Sequence, residues 1–137
     1  MPEAGTLGTA SGGENVHSEV MIAVRDVPKS AAWYRQLLAC ESDHGRSDFD
    51  RLVADGRVLL MLHQLDAAEH GLPAPVEGAV GSGVLIWIYV DDLKAVVERA
   101  RTMKAPIVVE PHANPQTGWR EFTLRDPDGY HVAMAEF

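Results

Sequence analysis

The stretch Leu85-Ile86-Trp87-Ile88-Tyr89-Val90-Asp91-Asp92 decides the fold. Its first six residues are β-branched, aromatic or aliphatic, and the run is too short for a buried helix, so it reads as a strand. The acidic pair then supplies a helix cap, and Leu93, Val96, Val97, Ala100 and Met103 follow at helical spacing as the helix's buried stripe. The same grammar occurs earlier in the chain. Glu19-Val20-Met21-Ile22-Ala23-Val24-Arg25-Asp26 leads into Pro28, well placed at a first helical turn, with Val27, Ala31, Tyr34 and Leu38 at helical spacing. The chain therefore contains an internal repeat.

After each helix the pattern turns to strands. The first half offers a weak strand near Cys40 to His44, a second over Phe49 to Ala54, an Asp55-Gly56 turn, and a third over Val58 to His63. The second half offers Ile107 to Glu110, a Pro- and Asn-bearing loop to Gly118, then Trp119 to Arg125, the turn Asp126-Pro127-Asp128-Gly129, and His131 to Phe137. Both halves read β-α-β-β-β. One such unit is too small to close its own sheet, so an α+β fold is expected in which two modules form one mixed sheet curled around a cavity. Residues 1–18 read as a Gly-, Ser- and Glu-rich tail. A single domain over 19–137 is expected, made of modules 19–70 and 83–137 joined by a linker, 71–82, that holds Pro73 and Pro75.

Composition narrows the function classes. At 137 residues one domain is expected, and a chain of this size buries enough surface to need no disulfide or structural metal. The single Cys40 agrees, since one thiol makes neither a bridge nor a cysteine-cluster zinc site. Twelve Lys and Arg against twenty Asp and Glu give a net charge of −8, which argues against a nucleic-acid partner. The longest apolar run, Val84 to Val90, is too short to span a bilayer, and the first residues lack the basic-then-apolar pattern of a secretory signal. A cytoplasmic protein without a membrane partner is expected.

The duplicated unit, with Val-Arg-Asp-Val-Pro-Lys-Ser-Ala-Ala-Trp-Tyr over 24–34 and Arg-Asp-Pro-Asp-Gly-Tyr-His-Val-Ala-Met-Ala-Glu over 125–136, resembles the vicinal oxygen chelate superfamily of glyoxalases, bleomycin-resistance proteins and extradiol dioxygenases. The resemblance extends from Glu19 to Phe137. It implies the paired-module fold, but one of many functions, because the superfamily includes lyases, isomerases, dioxygenases and metal-free binding proteins. Its enzymes hold a divalent metal on the first and last strands of each module. By that resemblance the four positions here are Glu19, Met61 (or Leu60 in the other register), Leu85 and Ala133. Leu and Ala cannot ligate, and a Met thioether suits soft copper better than the divalent ions such sites use. No metal at these positions and no cofactor are expected.

Strand alternation sorts the other side chains, since positions two apart share a face. With the ligand positions taken as cavity-facing, Glu19, Met21 and Ala23 point inward from the first strand, and Met61 and His63 from the fourth. Leu85, Trp87 and Tyr89 follow from the fifth strand, with His131, Ala133 and Ala135 from the last and Trp119, Glu121 and Thr123 from the strand between. The opposite face is apolar: Val20, Ile22, Val24, Ile86, Ile88, Val90, Val132 and Met134. The candidate ligand-binding set is therefore Glu19, Met21, Met61, His63, Trp87, Tyr89, Trp119, Glu121 and His131, with no catalytic residue assigned. Trp87 and Tyr89 either stack on a flat ligand or fill the concave sheet face, and Glu19 or Glu121 is available to a cation.

His17, His44, His70 and His112 fall in tail or loop readings without a role. Asp26, Asp91 and Asp92 read as helix caps, and Asp126 and Asp128 as turn residues. The leading expectation is a metal-independent binding protein for a drug or metabolite, acting as a homodimer. The alternative is a glyoxalase-like lyase or isomerase, using either a displaced metal at His63 and His131 with Glu19 or Glu121, or those groups as acids and bases.

Overall fold

The computed structural model describes residues 17–65 and 84–136. Most of the expected tail and the expected linker lie outside the described residues. The first module runs β1 (Met21–Val24), α1 (Val27–Leu38), β2 (Glu41–Ser42), β3 (Phe49–Ala54) and β4 (Arg57–Gln64). The second runs β5 (Leu85–Tyr89), α2 (Leu93–Thr102), β6 (Ile107–Ala113), β7 (Arg120–Arg125) and β8 (His131–Glu136). This is the βαβββ repeat in both halves.

Local chemistry sets the boundaries. Asp26 caps α1 by accepting from the Lys29 backbone N–H at 3.0 Å, and Asp92 caps α2 by accepting from that of Ala95 at 3.1 Å. The Leu93 N–H also donates to Glu136 Oε1 at 2.6 Å, so the last strand closes onto the start of its module's helix. β6 runs three residues past the expected Glu110 and carries His112 into a strand rather than a loop. Pro111 does not stop it because β6 lies at a sheet edge, where a missing N–H costs no ladder bond, and two register irregularities absorb the local distortion.

Each module builds its own four-stranded mixed sheet, in the orders β1-β4-β3-β2 and β5-β8-β7-β6. The parallel pairs are β1 with β4 and β5 with β8; the remaining neighbours are antiparallel. The curled sheet thus takes the form of two four-stranded sheets that are not closed into a barrel.

The alternation read from the sequence sets the core. Ile22, Val24, Leu62, Ile86, Ile88, Phe122, Leu124, Val132 and Met134 point to the helix side and join Tyr34, Leu37, Leu93, Val96 and Ala100 in one buried cluster. Val97 and Met103, expected within the buried stripe, only flank that cluster, and Val20 is exposed. No helix among the described residues is long and apolar enough to cross a membrane.

The modules join through the helices and the turn before β8. Arg99 Nε donates to the carbonyl of Leu37 at 2.8 Å, tying α2 to the end of α1. Tyr34 Oη–H donates to Asp126 Oδ2 at 2.7 Å, and Tyr130 Oη–H to the carbonyl of Ala23 at 3.0 Å. Asp128 accepts from the backbone N–H and the guanidinium of Arg25 at 2.9 and 3.1 Å. Asp126 and Asp128 do form the expected turn, with Gly129 at φ 94°, a conformation open to glycine. They also clamp one module to the other. Burial pushes the Asp126 carboxyl above its ordinary range, against the pull of its hydrogen-bond donors.

Candidate functional site

The faces of the two sheets turned away from the helices carry the candidate residues. On β5 the alternation is complete: Ile86 and Ile88 are buried, whereas Leu85, Trp87 and Tyr89 are exposed. On β7, Phe122 and Leu124 enter the core, which leaves Glu121 and Thr123 on the other face. On β4, Leu60 is 1% exposed and belongs to the core, which selects the Met61 register.

Two groups of candidates come together, one on each module. In the first, Met21, Met61 and His63 line a groove of about 330 Å³ with His44, Phe49, Arg46 and Asp48. Met21 and Met61 are direct partners across the parallel β1/β4 ladder. His63 is buried, and its Nδ1 lies 3.2 Å from the carbonyl of Gln64. In the second, the rings of Trp87, Tyr89 and Trp119 form a chain, with centroids 6.2 and 5.9 Å apart and edge-to-face planes. Trp87 and Tyr89 are joined along β5, and Trp119, just before β7, extends the row.

The other candidates stand apart from these groups. Glu19 precedes β1, pairs with His17 at 3.2 Å and lines a separate recess with Gly56, Arg57 and Val58. Glu121 is buried and accepts from Asn114 Nδ2 at 2.7 Å, so one of its oxygens is already engaged. His131 is half-buried opposite Leu85 in the β5/β8 ladder. Among the described residues no three His, Cys, Asp or Glu side chains gather closely enough to hold a metal. The displaced site built on His63, His131 and Glu19 or Glu121 is therefore not formed within one chain, because the module join keeps those strands in separate sheets.

The divalent site of the resembling enzymes finds no donor set either. Leu85 and Ala133 offer no ligating atom, Ala133 is 1% exposed, and Met61 offers only a thioether. These residues do not fit a hard divalent ion. Cys40 is buried beneath the carbonyl of Tyr34, and burial pushes its thiol up, away from nucleophilic character.

The sequence reading passed over His44, which the β2–β3 loop carries into the groove beside Phe49, with ring centroids 5.1 Å apart. The available signal was the acidic and basic run Asp43 to Asp48 around it. Arg51 pairs with Asp43 at 2.6 Å, and Arg46 with Asp48 at 3.0 Å, folding that loop back over the strand.

The model of the Glyoxalase/Bleomycin resistance protein/Dioxygenase superfamily matches residues 17–134. Comparison with curated protein sequences gives no match. Among solved structures, an integron cassette protein from the mobile metagenome of V. cholerae is similar with a TM-score of 0.70 and 19% identity, over 91% of this chain and 98% of that one. A protein of unknown function from Agrobacterium tumefaciens gives 0.73 at 18% identity, over 93% and 98%. A lactoylglutathione lyase from the same organism gives 0.65 at 24% identity, over 90% and 94%. At such identities the likeness is one of fold.

Proposed function

We propose that this chain, which belongs to the Glyoxalase/Bleomycin resistance protein/Dioxygenase superfamily, binds a flat aromatic or cationic small molecule and does so without a divalent metal. The observation that carries the reading is the row of Trp87, Tyr89 and Trp119, in which Trp87 and Tyr89 remain 40% and 45% exposed. Large aromatic side chains this open on a sheet face are costly to leave in water and suit a stacking partner. The lack of ligating groups at Leu85 and Ala133 supports metal independence.

Titration with a panel of basic aromatic drugs, followed by tryptophan fluorescence and calorimetry, tests the reading. Trp33 and Trp119 are replaced by Phe to isolate Trp87, and metal content is measured on the same sample. Trp87→Ala is expected to weaken binding at least several-fold, since losing a ring contact costs about 1 kcal/mol or more. A compound that binds by calorimetry without altering Trp87 emission, or a stoichiometric divalent metal, would sink the proposal.

The partner is proposed to be a second copy. The described lining of the groove comes from the first module alone, and Leu85, Trp87 and Tyr89 expose an apolar surface on the second, the kind of surface that a second copy buries. Light scattering is expected to give twice the chain mass of 14.9 kDa, and Leu85→Glu to shift the protein toward the monomer. A monomer at all concentrations would refute this.

A further inference from the structure

Trp119 is the member of the aromatic row that lies outside a strand. Trp87 and Tyr89 belong to β5, whereas Trp119 closes the hairpin loop between β6 and β7. Its ring meets that of Tyr89 at 5.9 Å across β8. The loop is built on Asn114, whose N–H donates to the Trp119 carbonyl at 2.8 Å and whose carbonyl accepts from the Gly118 N–H at 2.7 Å. Asn114 Oδ1 accepts from the N–H groups of Gln116 and Thr117 at 2.8 and 3.4 Å, and Thr117 Oγ1 accepts from the Trp119 N–H at 3.1 Å. Gly118, at φ 78°, takes the left-handed turn that this closure requires.

These bonds fold the hairpin on itself, and a side-chain bond then joins it to the sheet. Asn114 Nδ2 donates to Glu121 Oε1 at 2.7 Å. Glu121 is held on both sides, opposite His112 of β6 and Ala135 of β8, and Ala135 in turn lies opposite Tyr89. Trp119 and Glu121 are two residues apart, so the carboxyl that receives Asn114 is on the same face as the ring. Glu121 is 9% exposed, and a hydrogen bond shielded from water in this way is stronger than one at the surface.

We propose that Asn114 is the positioning residue of the aromatic site: through Glu121 it sets how far Trp119 reaches toward Tyr89. Glu121 then serves as the strut of that wall and not as the countercharge of a ligand. The inference rests on the aromatic row being the binding site. It divides that row into a part fixed by β5, Trp87 and Tyr89, and an outer wall whose place depends on the β6–β7 hairpin.

Exchanging donor and acceptor tests this without any ligand. In a chain whose Trp33 and Trp87 are replaced by Phe, acrylamide quenching of the remaining fluorescence reports the Trp119 ring, and hydrogen exchange of the Gly118 amide reports the hairpin. Asn114→Asp keeps the Oδ1 acceptor for Gln116 and Thr117 but sets carboxyl against carboxyl. It is expected to make Trp119 more open to quencher and to speed Gly118 exchange about tenfold, the factor that corresponds to losing one such hydrogen bond. Glu121→Gln retains an acceptor for Asn114 and should leave both signals in place. Asn114→Asp combined with Glu121→Gln lets the new amide donate to the new carboxylate and should return both signals to their starting values. Unchanged Trp119 quenching in Asn114→Asp, or a double variant no better than Asn114→Asp alone, would overturn the proposal. Because these readouts need no ligand, a failed drug titration at Trp87 would sink the binding reading by itself and would not alter them.

Discussion

Asp126→Ala is expected to remove roughly 3–5 kcal/mol of folding stability, a large share of the ~5–15 kcal/mol typical of a domain. The carboxylate is 4% exposed and accepts three hydrogen bonds, from Tyr34 Oη at 2.7 Å and from the backbone N–H groups of Asp128 and Tyr130, both at 2.9 Å. Each donor left unsatisfied costs about 1–3 kcal/mol, and water entering the vacated space recovers part of the sum. Asp126→Asn should cost much less, because its Oδ1 still accepts both N–H groups and the Tyr34 hydroxyl can turn to accept from Nδ2.

The two variants also separate by pH. Burial raises the Asp126 carboxyl in the folded state, so its contribution to stability is full below the unfolded carboxyl range and is lost as pH rises through the folded value. Asp126→Asn should abolish that component. Urea unfolding from about pH 4 to about pH 7 measures both effects. Equal midpoints for the Ala and Asn variants would mean that these hydrogen bonds do not stabilise the fold.

Phe122→Ala is expected to cost about 3–5 kcal/mol, whereas Glu19→Gln should stay within about 0.5 kcal/mol. Phe122 is fully buried, sits opposite Met134 in the β7/β8 ladder and fills the single cluster under both helices. Truncating it leaves a cavity where sheet and helices meet. Glu19 is exposed and pairs with His17, itself at the surface. Denaturant midpoints rank the two. A Glu19 variant that proves the more damaging would show that the carboxylate is buried in the working assembly, for instance against a second copy.

The two modules were legible in the sequence because their signals are local. Asp26 and Asp92 precede helical stripes, and an Asp at that position satisfies N–H groups three residues ahead whatever lies elsewhere. The sheet faces were legible for a similar reason. Ile86 and Ile88 alternate against the exposed Leu85, Trp87 and Tyr89, and Ile22, Val24, Val132 and Met134 join the same core cluster, since the two-residue period of a strand permits one phase. That phase put Met21, Met61, His63, Trp87 and Tyr89 together on the side away from the core, and their division into two groups, one on each sheet, came only from the tertiary structure.

The contacts between segments far apart in the chain were decided only by tertiary structure. Asp126 reads as a turn residue, and nothing in its neighbours announces Tyr34, 92 positions earlier, as its partner. His44 reads as a loop residue, and its arrival beside Phe49 and His63 depends on how Asp43 and Asp48 fold the loop over β3. Glu121 reads as a free countercharge, yet Asn114 already occupies it. Periodicity states which way a side chain points; what it meets there follows from packing two modules around one core, a property of the whole chain that no short window of residues contains.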